Sequence, residues 1–165
     1  MNVYITTGTF EYLKKVAARY PAEKMVLMAD INGALLFHET VGKTVFKTPR
    51  RYEVIESAGE FKKESFVVLN NLPVTEEGKP LFEHQFKNRA KLLEHAAGFT
   101  ALRVLRPVSS APYIILTVWE NEASYKAWKS STSFFEAHTN KGIINNNKPK
   151  IFESAPYTST YVIPE

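Results

Sequence analysis

The chain contains no cysteine. That absence excludes disulfides, iron–sulfur ligation, thiolate catalysis and Cys-rich zinc sites. No apolar run exceeds a few residues, so no membrane-spanning helix is expected. Met1–Phe10 lacks a basic region followed by an apolar stretch, so no signal peptide is expected and the expected location is the cytoplasm. Basic residues never cluster into a long run, which argues against a nucleic-acid partner. No G-x-G-x-x-G opens a helix, and neither a P-loop nor a G-x-S-x-G occurs. The 4 histidines, His38, His84, His95 and His138, form no paired metal motif.

What is present describes a folded domain. Of 165 residues 44% are hydrophobic and 23% charged, enough for one good core or two half-domains that share one. The net charge of +4 is mild and suits an anionic small ligand. Asn2–Thr7 reads as a strand. Thr9 caps a helix to about Tyr20, with Phe10, Leu13, Val16 and Ala17 on one face and Pro21 behind it. Met25–Ala29 and Ala34–Glu39 flank Asp30–Ile31–Asn32–Gly33, a strong hairpin signal. Tyr52–Ser57 is a candidate further strand, and Ser57–Lys63 reads as a linker.

From Glu64 a second unit begins. Ser65–Leu72 is a strand, and a helix is expected from about Lys79 to Ala97, with Gly98 ending it. Phe99–Leu105 and Tyr113–Trp119 are strands joined by a turn at Arg106–Ala111. Asn121 caps a helix through about Lys129, restarting at Ser131 or Ser133 through His138. Asn140–Lys150 is a polar loop, and Tyr157–Ile163 a last strand. The expected class is therefore α+β, with β-α-β-β-α-β (ferredoxin-like) order in residues 64–165 and a degenerate β-α-β-β half in residues 1–63. A four-stranded sheet of this kind leaves one face bare. The N-terminal half is expected to cover it, giving a monomeric pseudo-dimer.

Three side chains are candidates for chemistry. A lone imidazole, His138, argues against zinc and leaves haem open, because a porphyrin supplies four nitrogens of its own. The ordinary alternative is a helix histidine without a ligand. Trp128 is either core or an indole pressed on a planar ligand. If one helix carried both, they would stand roughly 80° apart at about 100° per residue. Asn70, after Phe66–Leu69, is either a turn former or an amide donor in a pocket. Asn71 next to it would face the other way, so only one of the two can serve.

Leu69-Asn70-Asn71-Leu72, Ile115-Leu116-Thr117-Val118-Trp119 and Trp128 with Phe134-Phe135-Glu136-Ala137-His138 together resemble the antibiotic biosynthesis monooxygenase (ABM) domain of IsdG-type haem-degrading monooxygenases. The resemblance runs from about Glu64 to Pro164, and the extra N-terminal half resembles the bacillary members. It implies an α/β barrel, His138 as proximal iron ligand, Trp128 as the residue that distorts the haem and Asn70 as the distal amide. It further implies haem as both cofactor and substrate, opened with O2 and an external electron donor (a reductase or small reductant) with release of iron. Arg103, Arg106, Lys87 and Arg89 are available to the propionates. A staphylococcal signalling protein shares the N-terminal extension. The alternatives are therefore a haem-binding or signalling protein without turnover, or a cofactor-independent oxygenase acting on an aromatic.

Overall fold

In the computed structural model, which describes residues 1–85, 91, 93–131 and 151–165, the strands form a closed antiparallel barrel. The N-terminal half supplies β1 (Asn2–Gly8), α1 (Phe10–Arg19), β2 (Met25–Asp30), β3 (Gly33–Thr40) and β4 (Arg50–Gly59). The C-terminal half supplies β5 (Phe66–Leu72), α2 (Lys79–Gln85), β6 (Phe99–Pro107), β7 (Tyr113–Trp119), α3 (Glu122–Lys129) and β8 (Tyr157–Val162). Around the barrel the order is β1-β3-β2-β8-β5-β7-β6-β4.

Read by halves, that order is fourth-first-third-second twice over. Each half is a ferredoxin-like sheet, and the whole is a pseudo-dimeric α+β barrel. Two expectations are corrected. The N-terminal half adds to the expected β-α-β-β order the candidate strand at Tyr52–Ser57, which is a full strand of 10 residues, β4. Ser57–Gly59 are its last residues and not a linker. They bond into the second half, Ser57 opposite Arg103 and Gly59 opposite Ala101. What the N-terminal half lacks among the described residues is a second helix, since 41–49 crosses as a loop. The expected boundary at 63/64 falls in the connection between β4 and β5. Strand β6 also runs on through Arg106 and Pro107, where a turn was expected.

Local chemistry explains the elements. Thr9 Oγ1 accepts the Tyr12 N–H at 3.2 Å, and the face of α1 bearing Phe10, Leu13, Val16 and Ala17 packs on Ala34 and Leu36. In the hairpin turn, Asp30 Oδ1 accepts from the backbone of Asn32 (2.7 Å) and Gly33 (3.0 Å). Strand alternation sends Val3, Ile5, Met28, Leu35, Phe37 and Tyr52 of the first half inward, where they meet Val67, Leu69, Leu105, Leu116 and Val118 of the second.

One end of this lumen holds charge. Arg103 Nε donates to Glu39 Oε2 at 2.6 Å, and both side chains are buried. The Arg103 guanidinium also donates to the carbonyls of Ala58 (3.0 Å) and Gly59 (3.1 Å) and lies over the Phe61 ring. Lys24 reaches Glu39 from outside at 3.0 Å. Burial pushes the Glu39 pKa up, but the hydrogen bonds and charges of Arg103 and Lys24 outweigh it and hold the group below its ordinary value. A depressed carboxyl contributes stability that is present above about pH 4.5 and is lost as pH falls through the folded-state value. Denaturant titrations should therefore show stability declining below that pH, less so in Glu39→Gln. Arg103→Met should destabilise the fold at neutral pH by up to about 3 kcal/mol, because it leaves the buried Glu39 carboxylate with only the half-exposed Lys24 as partner.

Candidate functional site

The outer faces of the two halves differ. Over the first half, α1 and Phe46 of the 41–49 loop close the sheet directly. His38 ties that loop down. Its Nε2 bonds Glu23 Oε2 at 3.1 Å, its Nδ1 bonds Thr44 Oγ1 at 2.9 Å, and the ring is wholly buried beside Tyr4 and Phe46. Over the second half, the sheet face of Val68, Leu72, Leu102, Val104, Tyr113 and Ile115 packs under Phe82 of α2 and under Tyr125 and Trp128 of α3. This face carries the candidate site.

Asn70 lies on it. Neighbours at positions 66, 68 and 72 pack into the helix-covered cluster, so alternation puts Asn70 on the same side. The Thr158 hydroxyl donates to Asn70 Oδ1 at 3.0 Å, which places the amide N–H donors at the opposite end of the group. Asn71 faces the lumen, where its Nδ2 donates to Leu69 O (3.1 Å), Tyr157 O (3.3 Å) and Ser159 Oγ (3.4 Å). The turn-forming alternative is therefore excluded: β5 continues to Leu72, and both asparagines sit inside it. A strand tolerates them because each amide has a cross-strand partner on β8.

Trp128 belongs to α3, which begins where Asn121 Oδ1 accepts the Ser124 N–H at 2.8 Å. Its indole lies 5.3 Å, centroid to centroid, from the fully buried Trp119, tilted by 35°, and 6.3 Å from Tyr125. Trp119 is itself held by Nε1 donating to Thr117 Oγ1 at 3.0 Å. The helix stops at Lys129, with Ser130 capping it and Ser131 Oγ donating to Trp128 O at 2.5 Å. The angular offset expected for one continuous helix from Trp128 to His138 therefore does not apply. His138 lies outside the described residues, as do the expected helix beyond Ser131, the whole 140–150 loop, and Lys87 and Arg89.

Of the remaining propionate candidates, Arg103 points into the lumen and is committed to Glu39. Arg106 lies on the outer face, paired in bidentate fashion with Glu83 of α2 (3.0 and 2.6 Å). The Tyr113 hydroxyl donates a short hydrogen bond to the same carboxylate. Arg106, with Tyr113 adding to it, holds the Glu83 pKa below its ordinary value against burial; burial first and Glu83 second push the Tyr113 phenol well up. This trio pins α2 to β6 and β7, and the sequence reading missed it because its members are far apart along the chain. Gly98, expected to end the long helix, has φ +80°, and a Cβ there would collide with the Ser124 side chain of α3.

Residues 65–140 match the family model described as antibiotic biosynthesis monooxygenase. That match lies within the C-terminal half. The chain is 26% identical over 130 residues to the heme-degrading monooxygenase of Listeria monocytogenes, covering 79% of this chain and 78% of that one. It is 26% identical over 163 residues to the signal transduction protein TRAP of Staphylococcus aureus, covering 99% and 97%. Among solved structures, a major regulator of staphylococcal pathogenesis superposes with a TM-score of 0.86 at 24% identity, covering 100% of this chain and 99% of that one. The heme-degrading enzyme LmHde of L. monocytogenes superposes with 0.77 at 22%, covering 99% and 100%. At these identities the superpositions establish a shared fold over the whole chain.

Glu83→Ala should strand the buried Tyr113 hydroxyl and cost about 1–3 kcal/mol in chemical denaturation. Glu83→Gln, which keeps an acceptor, should cost less. Gly98→Ala should lower the thermal midpoint, since both its φ and its neighbour oppose a side chain.

Proposed function

We propose that the protein is a haem-degrading monooxygenase whose substrate lies on the helix-covered face of residues 64–165, with residues 1–63 completing the barrel. One observation carries the reading: Asn70 and Trp128, distant in sequence, share that face, one bringing amide donors and the other an aromatic wall. This donor set fits haem. A large planar apolar ring needs aromatic surface, and the Asn70 amide, its oxygen already engaged by Thr158, has N–H groups to offer. The similarity to the Listeria heme-degrading monooxygenase supports the same direction.

In this reading haem is both the redox centre and the molecule cleaved, with O2 and electrons from an external donor. Trp128, backed by Trp119 and Tyr125, would supply an aromatic wall against the macrocycle, and distortion of the ring is one of the levers a protein has on haem electronics. Asn70 would offer its amide N–H groups to a polar ligand bound beside the ring. His138, outside the described residues, would supply the imidazole that holds the iron. Glu83, Arg106 and Tyr113 keep α2 in place over the sheet. The full-length similarity to TRAP favours a second reading, a signalling protein without turnover.

Haem titration separates the two. A Soret band should appear on reconstitution and weaken markedly in His138→Ala. With reductant, air and catalase, the band should decay and iron should be released. A spectrum that persists under those conditions rules out the enzymatic reading. Asn70→Ala should keep haem and lose most turnover, whereas Trp128→Phe should bind haem and degrade it more slowly.

A further inference from the structure

The two ends of the barrel lumen are built differently. At one end the buried guanidinium of Arg103 is matched by Glu39. Strands β4 and β8 run in the same direction on opposite sides of the barrel, and both begin at the other end. There β4 contributes Arg50 and Tyr52, which alternate onto the lumen face, and β8 contributes Tyr157, Ser159 and Tyr161. Among the described residues Arg50 makes no ion pair. The acidic group that acts on Tyr161 is Asp30, whose carboxylate is engaged by the N–H groups of its own turn.

Tyr52 marks the position of something further. Its ring belongs to the core, its relative exposure is 0%, and its hydroxyl has no hydrogen-bond partner. A buried hydroxyl without a partner costs about 1–3 kcal/mol, so such groups are rare unless a water or ligand completes them. Burial pushes the Tyr52 pKa up, and the charge of Arg50 and a side-chain contact from it, too loose to be a full hydrogen bond, oppose that push, so the guanidinium faces the hydroxyl oxygen and the hydroxyl proton is what lacks an acceptor; the Arg50 charge also reaches Tyr161. Burial keeps both phenols protonated at neutral pH, so they are hydrogen-bond donors there. Among the described residues, this end of the lumen thus presents a guanidinium without an ion pair and one phenolic donor, Tyr52, without an acceptor. A bridging water would satisfy Tyr52 but leave the positive charge of Arg50 unanswered.

We propose that this end of the barrel binds a small planar oxyanion, a carboxylate in particular, between the Arg50 guanidinium and the Tyr52 hydroxyl. The guanidinium fork matches a carboxylate edge, and a neutral phenol adds a donor to the same group. Arg50 is exposed, so the anion enters from solvent at the rim. The site lies on the inner face of the sheet, opposite the face proposed for haem, and does not depend on that proposal.

Thermal unfolding in sodium acetate against sodium chloride at matched ionic strength tests it. At acetate about tenfold above its dissociation constant, the midpoint should rise by roughly 3–6 °C over chloride. Phosphate, tetrahedral and bulkier, should raise it less. Arg50→Gln should abolish the difference and Tyr52→Phe should remove most of it. Saturation-transfer NMR on the acetate methyl reads binding in the unaltered chain, so the result stands even if a variant fails to fold. Equal midpoints in acetate and chloride, no transfer to acetate, or a shift that survives in Arg50→Gln would each overturn the proposal.

Discussion

Each half of this chain builds a four-stranded sheet with one apolar face that its own helices do not cover, and closure of those two faces on each other dominates the architecture. Phe37, Leu35 and Tyr52 from one half need Leu69, Leu116 and Val118 from the other to leave water. Closure also pairs the sheet edges, β4 with β6 over seven residue pairs and β2 with β8 at Ala29 and Val162. The buried Glu39–Arg103 pair spans the halves inside this lumen. Its satisfaction requires the β4 carbonyls at Ala58 and Gly59, so it forms only when β4 has docked beside β6.

The same closure turns the outer faces toward the helices, and there the halves diverge. In the first half, α1, Phe46 and the His38 clasp leave a filled apolar layer. In the second, Asn70 interrupts an otherwise apolar face, and aromatic residues of α3 stand over it. Among the described residues the pseudo-symmetric frame therefore has unlike outer faces: one half spends its outer surface on packing, and the other retains a polar group there.

Much of the frame could be read from residue order. Period-two alternation located the strands, Asp30–Gly33 the hairpin, and Thr9 and Asn121 two helix starts. The reading faltered where local pattern and tertiary pairing disagree. Ser57–Gly59, charged nearby and ending in glycine, look like a linker, yet the open edge of β6 recruits them as strand. The asparagines of β5 look like a turn, yet β8 supplies partners for both amides. The Glu83–Arg106–Tyr113 trio left no local signature at all.

Composition and spacing by themselves determined the α+β class, the ferredoxin-like order of the second half, and the choice of Asn70 and Trp128 as residues of interest, because these rest on periodicity and side-chain chemistry carried within short segments. Which of Asn70 and Asn71 faces the helices, that the first half owns a complete sheet, and that Arg50 and Tyr52 share the end of one lumen were decided only by tertiary structure. Register and barrel closure depend on which distant strands bury each other, and no short stretch of chain encodes that on its own.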